Sequence, residues 1–306
     1  MHKIKLAVIG VGHVGIKHVR SYTQLNNVDL VSICDLDLTK ANLVAEEFNI
    51  ASVTHDYKKL LDKKIDAVSI CVPTILHYKI AKDFLEAGIN VLVEKPFTQN
   101  LIEAQKLVKL THKKQLILQV GHVERFNSAF AAIKDSIVEP KFIECHRLNP
   151  FPNRSLDIGV VLDLMIHDID IVLGLVKSKI TKVEAVGTKV LTEKEDIANA
   201  RITFANGCVC NLTASRISDE PMRKIRIFLK DTYISLDYVK QEAYFYKKVG
   251  ANITKDLLPI EREEPLKKEL ESFLDCVTHK KTPLVSGQEG YRALSLALKI
   301  QNKIWR

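Results

Sequence analysis

The run Gly10-Val11-Gly12-His13-Val14-Gly15 stands directly after the β-branched stretch Ile4 to Ile9 and directly before a helical pattern. That spacing is chemistry for a pyrophosphate. Gly10 permits a tight turn, Gly12 lets backbone approach the phosphates, and Gly15 lets the following helix press against its strand. The helix start, with His13 and Val14 at its lip, adds amide donors and a partial positive charge. Asp35, closing Val31-Ser-Ile-Cys-Asp, is placed to accept both hydroxyls of an adenosine ribose and to repel a 2′-phosphate, so NAD is expected over NADP. Two later strand ends carry further polar groups beside the expected cofactor: Cys71-Val-Pro73-Thr74-Ile-Leu-His77 and Glu94-Lys95-Pro96. A fourth constellation is Asp163 and His167, four residues apart in an apolar helical stretch. The pair projects from one helix face, either as a solvated helix feature or as groups that meet a substrate.

These groups must be held by elements, and the pattern of the chain says which. From Ile4 to about Gln119 short β-branched runs alternate with longer amphipathic ones, at Ile4 to Ile9, Leu30 to Cys34, Ala51 to Thr54, Ala67 to Cys71, Asn90 to Val93 and Leu116 to Gln119. Such alternation specifies an α/β domain, a Rossmann-type doubly wound parallel sheet that takes its ligand at the carboxyl ends of its strands. After about Phe126 alternating segments follow one another with only turns between them: Lys179 to Leu191, Ala198 to Phe204, Cys208 to Ser215, Lys224 to Leu229, Thr232 to Tyr238 and Ala243 to Lys247. With turns at Asn206-Gly207 and Lys230-Asp231, this half reads as an α+β domain with a large open antiparallel sheet. Helices are expected at Val160 to Val176, Pro265 to His279 and Gln288 to Arg306. The domain boundary falls at residues 1–122 and 123–306, with the C-terminal helix able to return to the first domain.

Composition bounds the function classes. The 306 residues are 46% hydrophobic and 27% charged, with a formal net charge of +8, an ordinary globular balance. The positive charge is spread along the chain rather than clustered, which favours small anionic ligands and argues against nucleic acid. No apolar run approaches the roughly 20 residues that span a bilayer, and the N-terminus lacks a cleavage pattern, so a cytoplasmic protein with no membrane partner is expected. The six cysteines are scattered through apolar runs and read as core. Cys208 and Cys210 share a strand face but have no second pair at zinc spacing, so no metal is assigned.

Glu94-Lys95-Pro96 at a strand end, behind the glycine motif and with Pro73, His77 and the Asp163/His167 helix in order, resembles the Gfo/Idh/MocA oxidoreductase family over essentially the whole chain. The resemblance implies an NAD(P)-dependent dehydrogenase acting on a CH–OH group of a sugar-like substrate, and a homodimer or homotetramer. It implies Lys95 as proton relay or polarising cation, His167 as general base, and Asp163 as the group orienting substrate or histidine. It also implies cofactor contacts from Gly10, Gly12, His13, Val14, Gly15, Asp35, Cys71, Pro73, His77, Glu94, Lys95 and Pro96. The stretch Arg147-Leu-Asn149-Pro-Phe-Pro-Asn153-Arg154 through Asp157-Ile-Gly159 resembles the subgroup acting on UDP-N-acetylhexosamines. Arg147 or Arg154 could pair with a diphosphate, and Asn149 or Asn153 with sugar hydroxyls or an acetamido group; the alternative is a stiff loop whose arginines pair with nearby acids. Glu124 and Arg125 fit the family's crossing between domains, facing the substrate. Oxidation at C3 of a UDP-N-acetylglucosamine-like sugar is the leading expectation. A dehydrogenase of free cyclitols or monosaccharides and a non-catalytic nucleotide-sensing regulator are the alternatives.

Overall fold

The computed structural model describes residues 3–151 and 158–306 and divides into two compact units: residues 1–123 with 264–291, and residues 124–263 with 292–306.

In the first unit six parallel strands, β1 (Ile4–Ile9), β2 (Val28–Cys34), β3 (Val53–Thr54), β4 (Ala67–Ile70), β5 (Asn90–Glu94) and β6 (Leu118–Gly121), alternate with α1 (Gly15–Thr23), α2 (Leu38–Phe48), α3 (Thr74–Glu86) and α4 (Leu101–Lys114). The spatial order β3-β2-β1-β4-β5-β6 reverses direction between β1 and β4, the switch point at which doubly wound sheets bind ligands. Strands β1, β4 and β5 are buried through residues 6–9, 67–70 and 91–93, where both faces are covered. Asp37 starts α2 by accepting from Lys40 N, and Asn100 starts α4 by accepting from Glu103 N, each satisfying an amide that a helix leaves unpaired. The core on the α1 side contains Leu6, Val8, Val19, Tyr22 and Ile33 together with Leu270, Phe273 and Leu274. Those last three come from α7 (Pro265–His279), which places its own Pro at the first helical turn.

The second unit is an eight-stranded sheet of order β14-β13-β12-β11-β7-β10-β9-β8, with β7 (Phe142–Leu148), β8 (Ile180–Thr188), β9 (Ile197–Phe204), β10 (Val209–Ser215), β11 (Met222–Phe228), β12 (Thr232–Asp237), β13 (Glu242–Val249) and β14 (Asn252–Leu257). Its pairs are antiparallel except β7 with β10, which run parallel. Strand β7 takes in Arg147 and Leu148, the start of the stretch that the sequence reading gave to the substrate: Phe142 to Leu148 alternate cleanly between half-buried and buried. One face of the sheet carries Ile143, Ile202, Leu212, Ile225 and Ile234 and is covered by α5 (Ser128–Ile133), α6 (Ile166–Leu175) and the part of α8 (Gly287–Ile304) from Ala293 onward. The other face carries a stacked row, Phe142, Phe228, Tyr233 and Tyr246, with successive ring centroids 5.6, 5.3 and 4.1 Å apart. Among the described residues no helix is long and apolar enough to cross a membrane.

Candidate active site

The glycine loop of the first unit is shaped by what surrounds it. Gly10 has φ +87°, and a Cβ there would stand 2.8 Å from the Cys71 carbonyl oxygen, so only glycine fits. A Cβ on Gly12 would meet nothing within 4 Å: the backbone there borders open space, as a chain that must approach a pyrophosphate requires. In the first turn of α1, Ile16 N donates to Gly12 O at 3.0 Å and Lys17 N to Val14 O at 2.9 Å, so the loop and the helix start are wound into one tight turn. Asp35 is half-buried at the end of β2, its Oδ2 accepting from Val11 N at 2.7 Å and its Oδ1 from Asp37 N at 3.0 Å. The carboxylate thereby ties the glycine loop to the strand that would hold the ribose. These residues fit a dinucleotide.

The lips of β4 and β5 are joined by His77. Its ring is buried on α3, with Nδ1 2.9 Å from the Pro96 carbonyl oxygen and Nε2 2.8 Å from that of Val72. Burial pushes its pKa down while the carbonyls pull it up. His77 therefore fastens together the two loops expected to border the cofactor. Lys95, half-exposed, leaves the end of β5 beside Glu94. Glu94 accepts from His18 Nε2 at 3.1 Å and from Lys95 N at 3.2 Å. Burial would raise the Glu94 pKa, but the His18 hydrogen bond and the Lys95 charge hold it below the usual carboxylate value. His18 was not among the site residues expected from sequence, because its partner lies 76 positions away and nothing local announces the pairing.

In the second unit the helix bearing Asp163 and His167 departs from the regular form expected for Val160 to Val176. Val161–Met165 makes a π-helical turn before α6 begins. Such wider turns gather at functional sites. Asp163 and His167 are both half-buried, while Asp168 and Asp170 next to them are buried. Ahead of the turn, Val160 N donates to Glu195 O at 3.0 Å and Arg216 donates to Ile158 O at 2.8 Å. Arg216 is fixed in turn by Asp196, whose carboxylate also accepts the amides of Val190, Leu191 and Thr192. Burial opposes the Asp196 charge, but these donors outweigh it and hold the carboxyl well below its ordinary pKa.

Three residues expected to meet substrate, Arg147, Glu124 and Arg125, are held in ion pairs within the second unit. Arg147 is buried, donating to both Asp168 oxygens at 3.0 and 2.8 Å and to Glu124 Oε1 at 2.7 Å. Arg125 clasps Asp170 through Nε at 2.6 Å and reaches its backbone oxygen at 2.9 Å. Arg147, Glu124 and Arg125 thus brace α6 from behind, the paired-arginine alternative, because a buried guanidinium must be matched by acids. Burial raises the Asp168 pKa, and Arg147 only partly offsets it. Asn149 is half-exposed just past β7, its backbone bonded to Ser215 O and Ser218 N. Asn153 and Arg154 lie outside the described residues.

Residues 4–122 match the family described as oxidoreductase family, NAD-binding Rossmann fold, and residues 128–234 match the GFO/IDH/MocA C-terminal domain. UDP-N-acetylglucosamine 3-dehydrogenase of Acidithiobacillus ferrooxidans is 34% identical over 308 residues, covering 98% of this chain and 97% of that protein. Its crystal structure superposes with a TM-score of 0.94 over 99% of this chain and 98% of the other. Myo-inositol 2-dehydrogenase of Thermotoga maritima is 25% identical over 316 residues, covering 96% of this chain and 94% of that protein.

Proposed function

Because the chain belongs to the Gfo/Idh/MocA oxidoreductase family, we propose that it oxidises a ring hydroxyl of a UDP-N-acetylhexosamine with NAD, UDP-N-acetylglucosamine at C3 being the substrate of choice. The observation that carries this reading is the end-to-end similarity to an enzyme of that name. NAD is preferred over NADP because the Asp35 carboxylate, pinned by Val11 N, would face a 2′-phosphate with like charge.

Bound NAD supplies the acceptor for the hydride that leaves the carbinol carbon. The protein's own task is the hydroxyl proton, which must depart as the C–H bond breaks. His167 takes it as general base, Lys95 polarises or relays, and Asp163 orients substrate or imidazole. With Arg147 committed to Asp168 and Glu124, the diphosphate falls to Arg154, and Asn149 and Asn153 serve the sugar. The half-buried aromatic row on the face of the eight-stranded sheet opposite its helices supports assembly as a homodimer or homotetramer, which sedimentation would read; the location proposed is the cytoplasm.

The test is a screen of UDP-N-acetylglucosamine, other UDP-sugars and inositols with NAD and NADP, followed at the reduced-nicotinamide absorbance. UDP-N-acetylglucosamine with NAD is expected to turn over fastest, and Lys95→Met to bind NAD normally while losing at least roughly a hundredfold in kcat. Turnover of inositols and of no UDP-sugar would favour instead the cyclitol reading, for which the similarity to an inositol dehydrogenase is the support.

A further inference from the structure

A file of four buried or nearly buried side chains crosses the first unit from α1 to the end of β5. The Tyr22 hydroxyl is 3.0 Å from Ser69 Oγ, Ser69 Oγ is 3.1 Å from His18 Nδ1, and His18 Nε2 is 3.1 Å from Glu94 Oε1. Tyr22, Ser69 and His18 are fully buried. The direction of the protons follows from what each group can give. The Glu94 carboxylate only accepts, so the ring proton of His18 sits on Nε2 and Nδ1 is left to accept from the Ser69 hydroxyl; Ser69 Oγ in turn accepts from the Tyr22 hydroxyl. Every donor is used once and every bond points toward the carboxylate.

The far end of the file is Lys95. With Oε1 held by His18, the other Glu94 oxygen folds back to accept Lys95 N at 3.2 Å, fixing the peptide from which the Lys95 side chain departs. Space for this arrangement comes from the neighbouring strand: Glu94 is paired with Gly121, where a Cβ would stand 2.7 Å from Glu94 Oε1. Other titratable groups that feel the carboxylate charge are His77 of α3, Tyr22 of α1 and Cys71 beyond β4, the last two also facing Glu269 of α7. We propose that His18, oriented through Ser69 by Tyr22, is a positioning residue for the reaction: it locks Glu94 onto the Lys95 peptide and keeps a carboxylate charge beside the Lys95 ammonium. This rests on the assignment of Lys95 as a proton-handling group.

The experiment compares the parent with Ser69→Ala, a small change that frees the imidazole to take its other tautomer, and with His18→Asn and His18→Gln. The Gln amide can still donate toward Glu94; the Asn amide is too short. Ser69→Ala and His18→Asn should lose roughly tenfold in kcat, the scale of one hydrogen bond to a charged group, with KM and NAD affinity held, and His18→Gln should recover most of it. The acid limb of the kcat profile should move to higher pH in the two impaired variants. Carbon-13 titration of the Glu94 carboxyl, identified with Glu94→Gln, should show the same upward move without any substrate present. A Lys95→Met variant at full rate would strike down the assignment of Lys95 by itself. An inactive Lys95→Met beside Ser69→Ala and His18→Asn variants with unchanged kcat and unchanged Glu94 titration would overturn the positioning role alone.

Discussion

Arg147 is buried and sends three guanidinium N–H donors to two carboxylates. Its burial between Asp168 and Glu124 makes it a brace for the segment that carries His167. Arg147→Met should cost about 3–5 kcal/mol of stability, because two acids are left buried without their cation. The pH dependence has a definite sign. Burial already raises the Asp168 pKa, and loss of Arg147 raises it further. A folded-state carboxyl with a raised pKa is tolerated below its unfolded value of about 3.9 and penalised as pH rises above it. The deficit in urea unfolding should therefore be larger at pH 8 than at pH 5. Asp35→Ser should raise KM for NAD by roughly tenfold, as one charge-assisted contact is lost, and narrow the preference over NADP; an unchanged ratio in paired titrations would remove Asp35 from cofactor choice. The turn at Gly10 and the open backbone at Gly12 were legible because each depends on a few neighbours in sequence. Arg147 and His18 were not, since the partners of a buried charge are set by tertiary packing.

Elements were legible where one face is apolar and obscure where the pattern is broken. Strand β7 hides behind Arg147, a charge on its inward face, and β14 behind complete exposure, which leaves an edge strand without a buried stripe to read. The π turn at Val161–Met165 has no signature in composition; it is braced from outside by Glu195, Asp196 and Arg216. Asp196→Asn should cost about 3 kcal/mol at neutral pH by leaving the buried Arg216 uncompensated. The folded-state pKa of Asp196 is depressed, so its contribution is present above the unfolded value of about 3.9 and fades as pH falls toward the folded one. Parent and variant should converge in urea stability as pH drops below that value, and a gap undiminished at pH 3 would show that the Asp196 charge is not what braces the turn.

At the scale of the molecule, the sheet of the first unit is complete by Gly121, yet the core against α1 is not. Leu270, Phe273 and Leu274 of α7 fill it, and Val120 N donates to Val285 O at 3.0 Å. A fragment of residues 1–123 should thus expose the face of Val19 and Tyr22, bind a hydrophobic dye and melt without a cooperative transition, while the full chain does neither. The alternation of strands and helices made both sheets readable, but no local pattern tells a helix to which sheet it returns. The consequence is one of timing. As the chain emerges from the ribosome, the half that would grip the coenzyme is synthesised first and sealed last. It must await the passage of some 140 intervening residues, 124–263, before its own interior can close.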